Sequence, residues 1–310
     1  MTEAPAISIS GLNFSYCKNE RVLSDINLCM PQGDFMAVLG PNGGGKTTLL
    51  KLLLGLLEPD CGEIRIFGQP PREARAQIGY VPQFSTLNNS FPVSVLDAVL
   101  MGAAQKSSLR GVKWPTDRKA REMAEELLTL LGLAGLEARN ISELSGGQKQ
   151  RLMAARALMG KGPLRGRPFL LILDEPTSNI DPEGKCCFYD FLRTAGEDVS
   201  IVVVSHDLAL AAANGAHSSS EPCRPAAPGN LPCTGAGACS NASLSASPAK
   251  LPGFSSGRNF NSIAVVNRTL TYSSEMALSR EILRAFFGQH EENCLINDII
   301  NNMAACGSGS

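Results

Sequence analysis

The residues whose types and order can do chemistry lie in four short stretches. The first, Gly40, Pro41, Asn42, Gly43, Gly44, Gly45, Lys46, Thr47 and Thr48, meets every fixed position of G-x-x-x-x-G-K-[ST]. Glycines in such a run let the backbone curl until successive N–H groups point at the β- and γ-phosphates of a nucleotide triphosphate. The helix that follows adds the positive end of its dipole. Lys46 then reaches the phosphates as a mobile cation, and Thr47 offers a hydroxyl to the accompanying Mg2+. The second stretch is Leu144-Ser145-Gly146-Gly147-Gln148-Lys149-Gln150-Arg151, in which Ser145 and Gln148 have the capping-box spacing of a helix over 149–159. An ordinary cap has no use for Gly146 and Gly147, which weaken a first turn, so the stretch reads as a second anion site.

The third stretch is a continuous apolar run, Phe169-Leu170-Leu171-Ile172-Leu173, that ends in Asp174 and Glu175. A strand buried on both faces has this composition, and carboxylates at its carboxyl end face the ligand crevice of a doubly wound sheet. There Asp174 can hold the Mg2+ shell, and Glu175 can take a proton from an attacking water. The fourth is His206, which follows the strand Ser200-Ile201-Val202-Val203-Val204-Ser205 and would stand on the same edge, against the γ-phosphate.

Strands and helices must bring these groups together. Phe35-Met36-Ala37-Val38-Leu39 before the glycine run and Leu49-Leu50-Lys51-Leu52-Leu53-Leu54 after it give strand, loop, helix. Upstream, residues 7–28 alternate apolar and polar, as antiparallel strands with one buried face do. Tyr16 ends the first of these, where its ring can stack on an adenine or simply pack. Two short strands follow, Glu63-Ile64-Arg65-Ile66-Phe67-Gly68 and Ile78-Gly79-Tyr80-Val81-Pro82-Gln83, the second ending at Gln83. Residues 88–160 turn helical, with helices predicted over 93–101 and 117–131, and read as an inserted helical subdomain. The predicted fold is therefore α/β, a P-loop NTPase with a mixed central sheet, an antiparallel β subdomain and that insertion.

Past Leu210 the chain changes character. From Gly215 to Gly257, 29 of 43 residues are Gly, Ala, Ser or Pro, which predicts disorder, because few side chains there can offset the entropy of ordering. Cys223, Cys233 and Cys239, with His217, are spaced by ten and six residues, unlike the close pairs of zinc sites. Order is expected again in a strand over 262–266 and a helix over 279–287, in a C-terminal part spanning 261–300.

Composition bounds the partners. The 310 residues carry 28 basic and 29 acidic side chains and a net charge of −1, which gives no field for holding nucleic acid. No uncharged apolar run approaches the roughly 18 residues that span a bilayer, and the first residues lack a basic, apolar leader, so a cytosolic chain is expected. The ten cysteines, of which Cys29 and Cys61 sit in core-like segments, read as reduced.

The ordered set Tyr16, residues 40–48, Gln83, residues 144–148, residues 170–175, Ser178-Asn179-Ile180-Asp181 and His206 resembles the ATP-binding cassette of ABC transporters over residues 6–213. Leu144-Ser145-Gly146-Gly147-Gln148 is the specific part of the likeness. The resemblance implies that two cassettes close head to tail, each ATP lying between the phosphate loop of one and the signature of the other. Tyr16 would then stack on adenine, Gln83 would sense the Mg2+ and the lytic water, and Ser145 with Gly147 would touch the ATP of the second copy. Glu175 would be the general base, His206 the γ-phosphate clamp and Asp181 part of the dimer contact.

Residues 84–102 and 266–270 are further similar to the cassettes of zinc, manganese or iron importers. Such a subunit would be peripheral, on the cytoplasmic face of the cell membrane, serving separate permease subunits and, indirectly, a solute-binding protein. Phe84 and Phe91 are the candidate anchors to the permease, with burial in the helical subdomain as the competing role for Phe91. The chain departs from the family over 214–260, where it spends about fifty low-complexity residues before the next strand.

Overall fold

The computed structural model describes residues 3–17, 20–83, 92–103, 105–107, 111–113, 118–159, 168–177, 188–189, 192, 199–205 and 262–274. Phe84, Phe91, Asp181, His206, the low-complexity segment and the predicted helix over 279–287 lie outside these residues.

Two sheets carry the fold. In the first, β1 (Ile7–Cys17) pairs antiparallel with both β2 (Glu20–Met30) and β4 (Cys61–Ile66), as the alternation of residues 7–28 predicts. The second has six strands in the order β11-β10-β3-β9-β8-β5. Its members are β3 (Phe35–Leu39), β5 (Ile78–Val81), β8 (Phe169–Asp174), β9 (Val199–Val204), β10 (Ser262–Asn267) and β11 (Thr269–Ser273). All neighbours are parallel except the antiparallel edge pair of β10 and β11, so the sheet is mixed.

The apolar runs are continuous because β3, β8 and β9 are buried along their whole length. Met36, Val38, Leu170, Ile172, Val202 and Val204 face α1 (Lys46–Leu53) and the three-stranded sheet. Their neighbours Phe35, Ala37, Leu39, Leu171, Leu173 and Val203 face the opposite core. That core is shared with α2 (Val95–Leu100), α3 (Arg118–Leu130) and α4 (Gly146–Leu158), the helices of the inserted region. A short hairpin of β6 (Gln105–Ser107) and β7 (Gly111–Lys113) interrupts the helices, a feature the helical composition of 88–160 does not announce.

Three expectations need correction, and one strand is added. The helix expected over 149–159 starts three residues earlier, at Gly146, because Ser145 caps it and the glycines are used inside its first turn. The helix expected over 93–101 starts at Val95, behind the cap of Ser94 on the Asp97 N–H at 3.1 Å. Cys29 and Cys61 are exposed, not in the core, since Cys29 falls on the outward phase between buried Leu28 and Met30. Both are free thiols, as is Cys17. Beyond the expected strand, β10 continues through a tight turn into β11, whose Thr-Leu-Thr-Tyr run has the β-branched and aromatic residues of a strand although none was expected there.

Candidate functional site

In the large sheet, β3, β5, β8 and β9 run parallel, so their carboxyl ends share one edge. There Leu39 passes into the glycine loop, Asp174 ends β8 and Val81 leads to Gln83. Ser205 N–H donates to Val38 O at 3.0 Å, and Glu175 N–H donates to Val204 O at 2.9 Å, which stitches the strand ends together.

The loop is shaped by what packs behind it. Gly45, the N-cap of α1, has φ 101°, and a Cβ there would lie 2.6 Å from Leu23 Cδ2 of β2. A Cβ on Gly44 would lie 2.7 Å from Val266 O, and one on Gly40 would collide with the same carbonyl. The turn between β10 and β11 therefore backs the loop. Arg268, at φ 62°, donates its N–H to Gly44 O at 3.0 Å and accepts the Ser24 N–H at 2.7 Å. Asp34 anchors the far end of β10: its Oδ2 accepts Ser262 Oγ–H at 2.6 Å, and its backbone oxygen accepts the Ile201 N–H at 2.8 Å.

Lys46 is buried and its ammonium donates to Gly40 O at 2.8 Å and Pro41 O at 3.0 Å, spanning the loop. Burial lowers its pKa, against which the charges of Glu175 and Asp174 act. Burial, and then the charge of Glu175, raise the pKa of Asp174; a hydrogen bond from Tyr80 and the charge of Lys46 oppose the rise. Tyr80 Oη–H donates to Asp174 Oδ2 at 3.4 Å. Burial, then Asp174, push the phenol itself up to about 12. Gln83 Nε2–H donates to Glu175 Oε2 at 2.8 Å, and Glu175 adopts φ 45°, a conformation that non-glycine residues hold only where the surroundings enforce it.

Tyr16 stands at the mouth of the loop, 53% exposed, with Oη 3.3 Å from Thr48 Oγ1 and its ring edge-on to Phe14 at 5.0 Å. Thus Tyr16, the loop, Gln83, Asp174 and Glu175 are brought to one edge. The signature is built but stands apart: Ser145 N–H donates to Gln148 Oε1 at 2.9 Å and Ser145 Oγ accepts the Gln148 N–H at 3.3 Å. Among the described residues, no hydrogen bond of Ser145, Gly146, Gly147 or Gln148 reaches the loop or the carboxylates.

The donor set fits Mg2+. Among the described residues no group of three or more His, Cys, Asp or Glu is placed to hold a metal by itself. The hydroxyl of Thr47, the carboxylate of Asp174 and the amide oxygen of Gln83 are hard oxygen donors, of the kind that hold Mg2+ together with substrate phosphates. Sequence reasoning missed Tyr80, Leu23 and the turn at Arg268. For Tyr80 the signal was available, a hydroxyl-bearing ring three residues before Gln83; for the turn it was not, because nothing local ties residue 268 to residue 44.

A glycine loop opening a helix from the central strand, with two carboxylates across a parallel sheet, defines a P-loop nucleotide-binding protein. Family comparison takes this further: residues 23–178 match the model described as ABC transporter. The chain belongs to the ABC transporter family, as an ATP-binding subunit whose ATP hydrolysis is coupled to transport. It is 39% identical over 209 residues to a zinc transport system ATP-binding protein of Treponema pallidum, covering 66% of this chain and 74% of that one. It is 37% identical over 206 residues to a manganese transport system ATP-binding protein of Bacillus subtilis, covering 66% and 78%. Among solved structures, a metal-chelate type ABC transporter in an inward-facing conformation superposes with a TM-score of 0.62 at 26% identity, covering 91% of this chain and 89% of that one. No helix among the described residues is long and apolar enough to cross a membrane.

Proposed function

We propose that this chain is the ATP-hydrolysing subunit of an importer for divalent metal ions such as zinc or manganese. The Gln83 amide, 2.8 Å from Glu175 Oε2 and beside the Lys46 and Asp174 charges, carries the catalytic part of this reading. Gly40, Asn42, Gly43, Gly44, Gly45 and Thr48 hold the phosphates through backbone N–H groups, Pro41, which has no N–H, fixes the start of the loop, and Lys46 leaves its loop carbonyls for the β- and γ-phosphate oxygens. Thr47, Asp174 and Gln83 hold Mg2+, which when bound draws negative charge from those oxygens. Glu175 takes the proton of the attacking water as its oxygen bonds the γ-phosphorus and the bond from that phosphorus to the β–γ bridging oxygen breaks, releasing ADP and phosphate, with Gln83 fixing the carboxylate and His206 contacting the γ-phosphate. Tyr16, half exposed at the mouth of the loop, stacks on the adenine.

The detached signature supports a two-copy site: Ser145, Gly146, Gly147 and Gln148 present a capped helix N-terminus to the ATP of a second cassette, with Asp181 in the dimer contact. ATP closes that dimer and hydrolysis reopens it. Separate permease subunits hold the chain at the cytoplasmic face of the cell membrane and receive metal from a solute-binding protein. The names of the zinc and manganese relatives support the choice of metal. The test is co-purification with the permease, followed by ATP-driven uptake into vesicles across a panel of divalent metals. Zinc- or manganese-specific uptake is expected, and uptake of an unrelated solute with none of the metals would overturn the substrate assignment.

A further inference from the structure

We propose that Tyr80 is a positioning residue for Asp174, holding one carboxylate oxygen so that the other is presented to the divalent cation. The inference rests on Asp174 being a donor to Mg2+. On β5 the side chains of Ile78 and Tyr80 leave the sheet on one side, and the parallel register places Tyr80 opposite Ile172 of β8. Asp174 is two residues beyond Ile172, on that same side, and a tyrosine is long enough to cover the offset. The hydroxyl meets Oδ2 at 3.4 Å. Packing alone does not account for the residue: Tyr80 is an exposed large side chain, 36% open, and a phenylalanine would fill the same space and lose only the donor.

Chemistry gives the donor a purpose. Asp174 is buried and adjoins Glu175 in the chain, and a carboxylate so placed has reason to rotate away from its neighbour. A neutral hydroxyl bonded to Oδ2 opposes that rotation and leaves Oδ1 facing the cation. Three residues on, Gln83 does the same for Glu175 through Oε2. The edge strand and the two residues after it thus supply a donor to each carboxylate, and the partners that orient metal ligands in this way commonly govern metal affinity.

Tyr80→Phe in the full chain separates this from a structural role. Mn2+ titrated into the protein with ADP and followed by electron paramagnetic resonance should bind about tenfold more weakly in the variant. ADP affinity measured in EDTA, and the thermal midpoint, should stay at the unaltered values, and the Mg2+ concentration for half-maximal ATPase should rise. Unchanged Mn2+ affinity would overturn the inference, as would an equal loss of ADP affinity in EDTA, which would place the effect in the loop. If the unaltered chain binds ADP but Mn2+ never strengthens the complex, the assignment of Asp174 as a donor fails and the inference with it; no ADP binding at all would sink the ATPase site itself.

Discussion

The two halves of the site are made in opposite ways. The phosphate loop is a single run of chain whose proposed binding groups are backbone N–H donors joined by the Lys46 ammonium and the Thr47 hydroxyl, and its shape depends on what lies behind it: Leu23, the Val266 carbonyl and the Arg268 N–H. The carboxylate half consists of side chains, Asp174 at the end of β8 and Glu175 just after it, each held by a hydrogen bond from the neighbouring segment, Tyr80 of β5 and Gln83 two residues past its end. A backbone site is damaged by adding atoms, because there is no room for them. A side-chain site is damaged by changing chemistry with no change of volume.

That contrast is tested most severely by Glu175→Gln, which keeps the shape and removes the proposed base. Turnover should fall at least about a hundredfold while ATP is still bound and a closed dimer accumulates, as steady-state hydrolysis and size-exclusion chromatography with ATP would report. Near-normal hydrolysis would mean that another group activates the water. The matching insult to the backbone half is Gly45→Ala, a single methyl where φ is 101° and Leu23 Cδ2 is 2.6 Å from the new atom. Nucleotide affinity should drop about tenfold and the thermal midpoint should fall with it, since strain of this kind costs ~1–3 kcal/mol. Calorimetry of ADP binding and a melting curve check both.

A smaller effect distinguishes the halves by pH. Asp174 has its pKa raised by burial and by Glu175, so on acidification it takes up a proton at a higher pH than an exposed aspartate does. Protonated, it no longer offers a charge to a cation. Mn2+ binding in the presence of ADP should therefore weaken above the usual aspartate range, whereas ADP binding in EDTA, which depends on backbone donors, should not follow that limb. Smallest of all should be Arg268→Gly. The turn serves the loop through its backbone, and glycine takes φ 62° without the penalty arginine meets there, so stability should change by about 1 kcal/mol or less and ADP affinity hardly at all. A large loss of affinity would show that the guanidinium itself takes part.

Much of this was legible before any coordinates. The loop from Gly40 to Thr48, the signature, the carboxylate pair, Gln83 and Tyr16 are recognisable because each is a contiguous run or a strand end, and local rules govern glycine turns, caps and buried strands. The same rules placed the antiparallel strands of residues 7–28 and the buried runs of β3, β8 and β9. What only the tertiary structure decided is which of these groups meet, and what stands behind them. Parallel register, not any local pattern, put Tyr80 within reach of Asp174. A strand from near residue 265 closed against β3, so that a carbonyl more than two hundred positions away shapes a glycine loop. Cys29 faced outward because a strand exposes every second side chain, and the sheet as a whole chooses the phase. Sequence carries short-range preferences; contacts between distant segments depend on how strands pair and cores fill, which no window of residues contains.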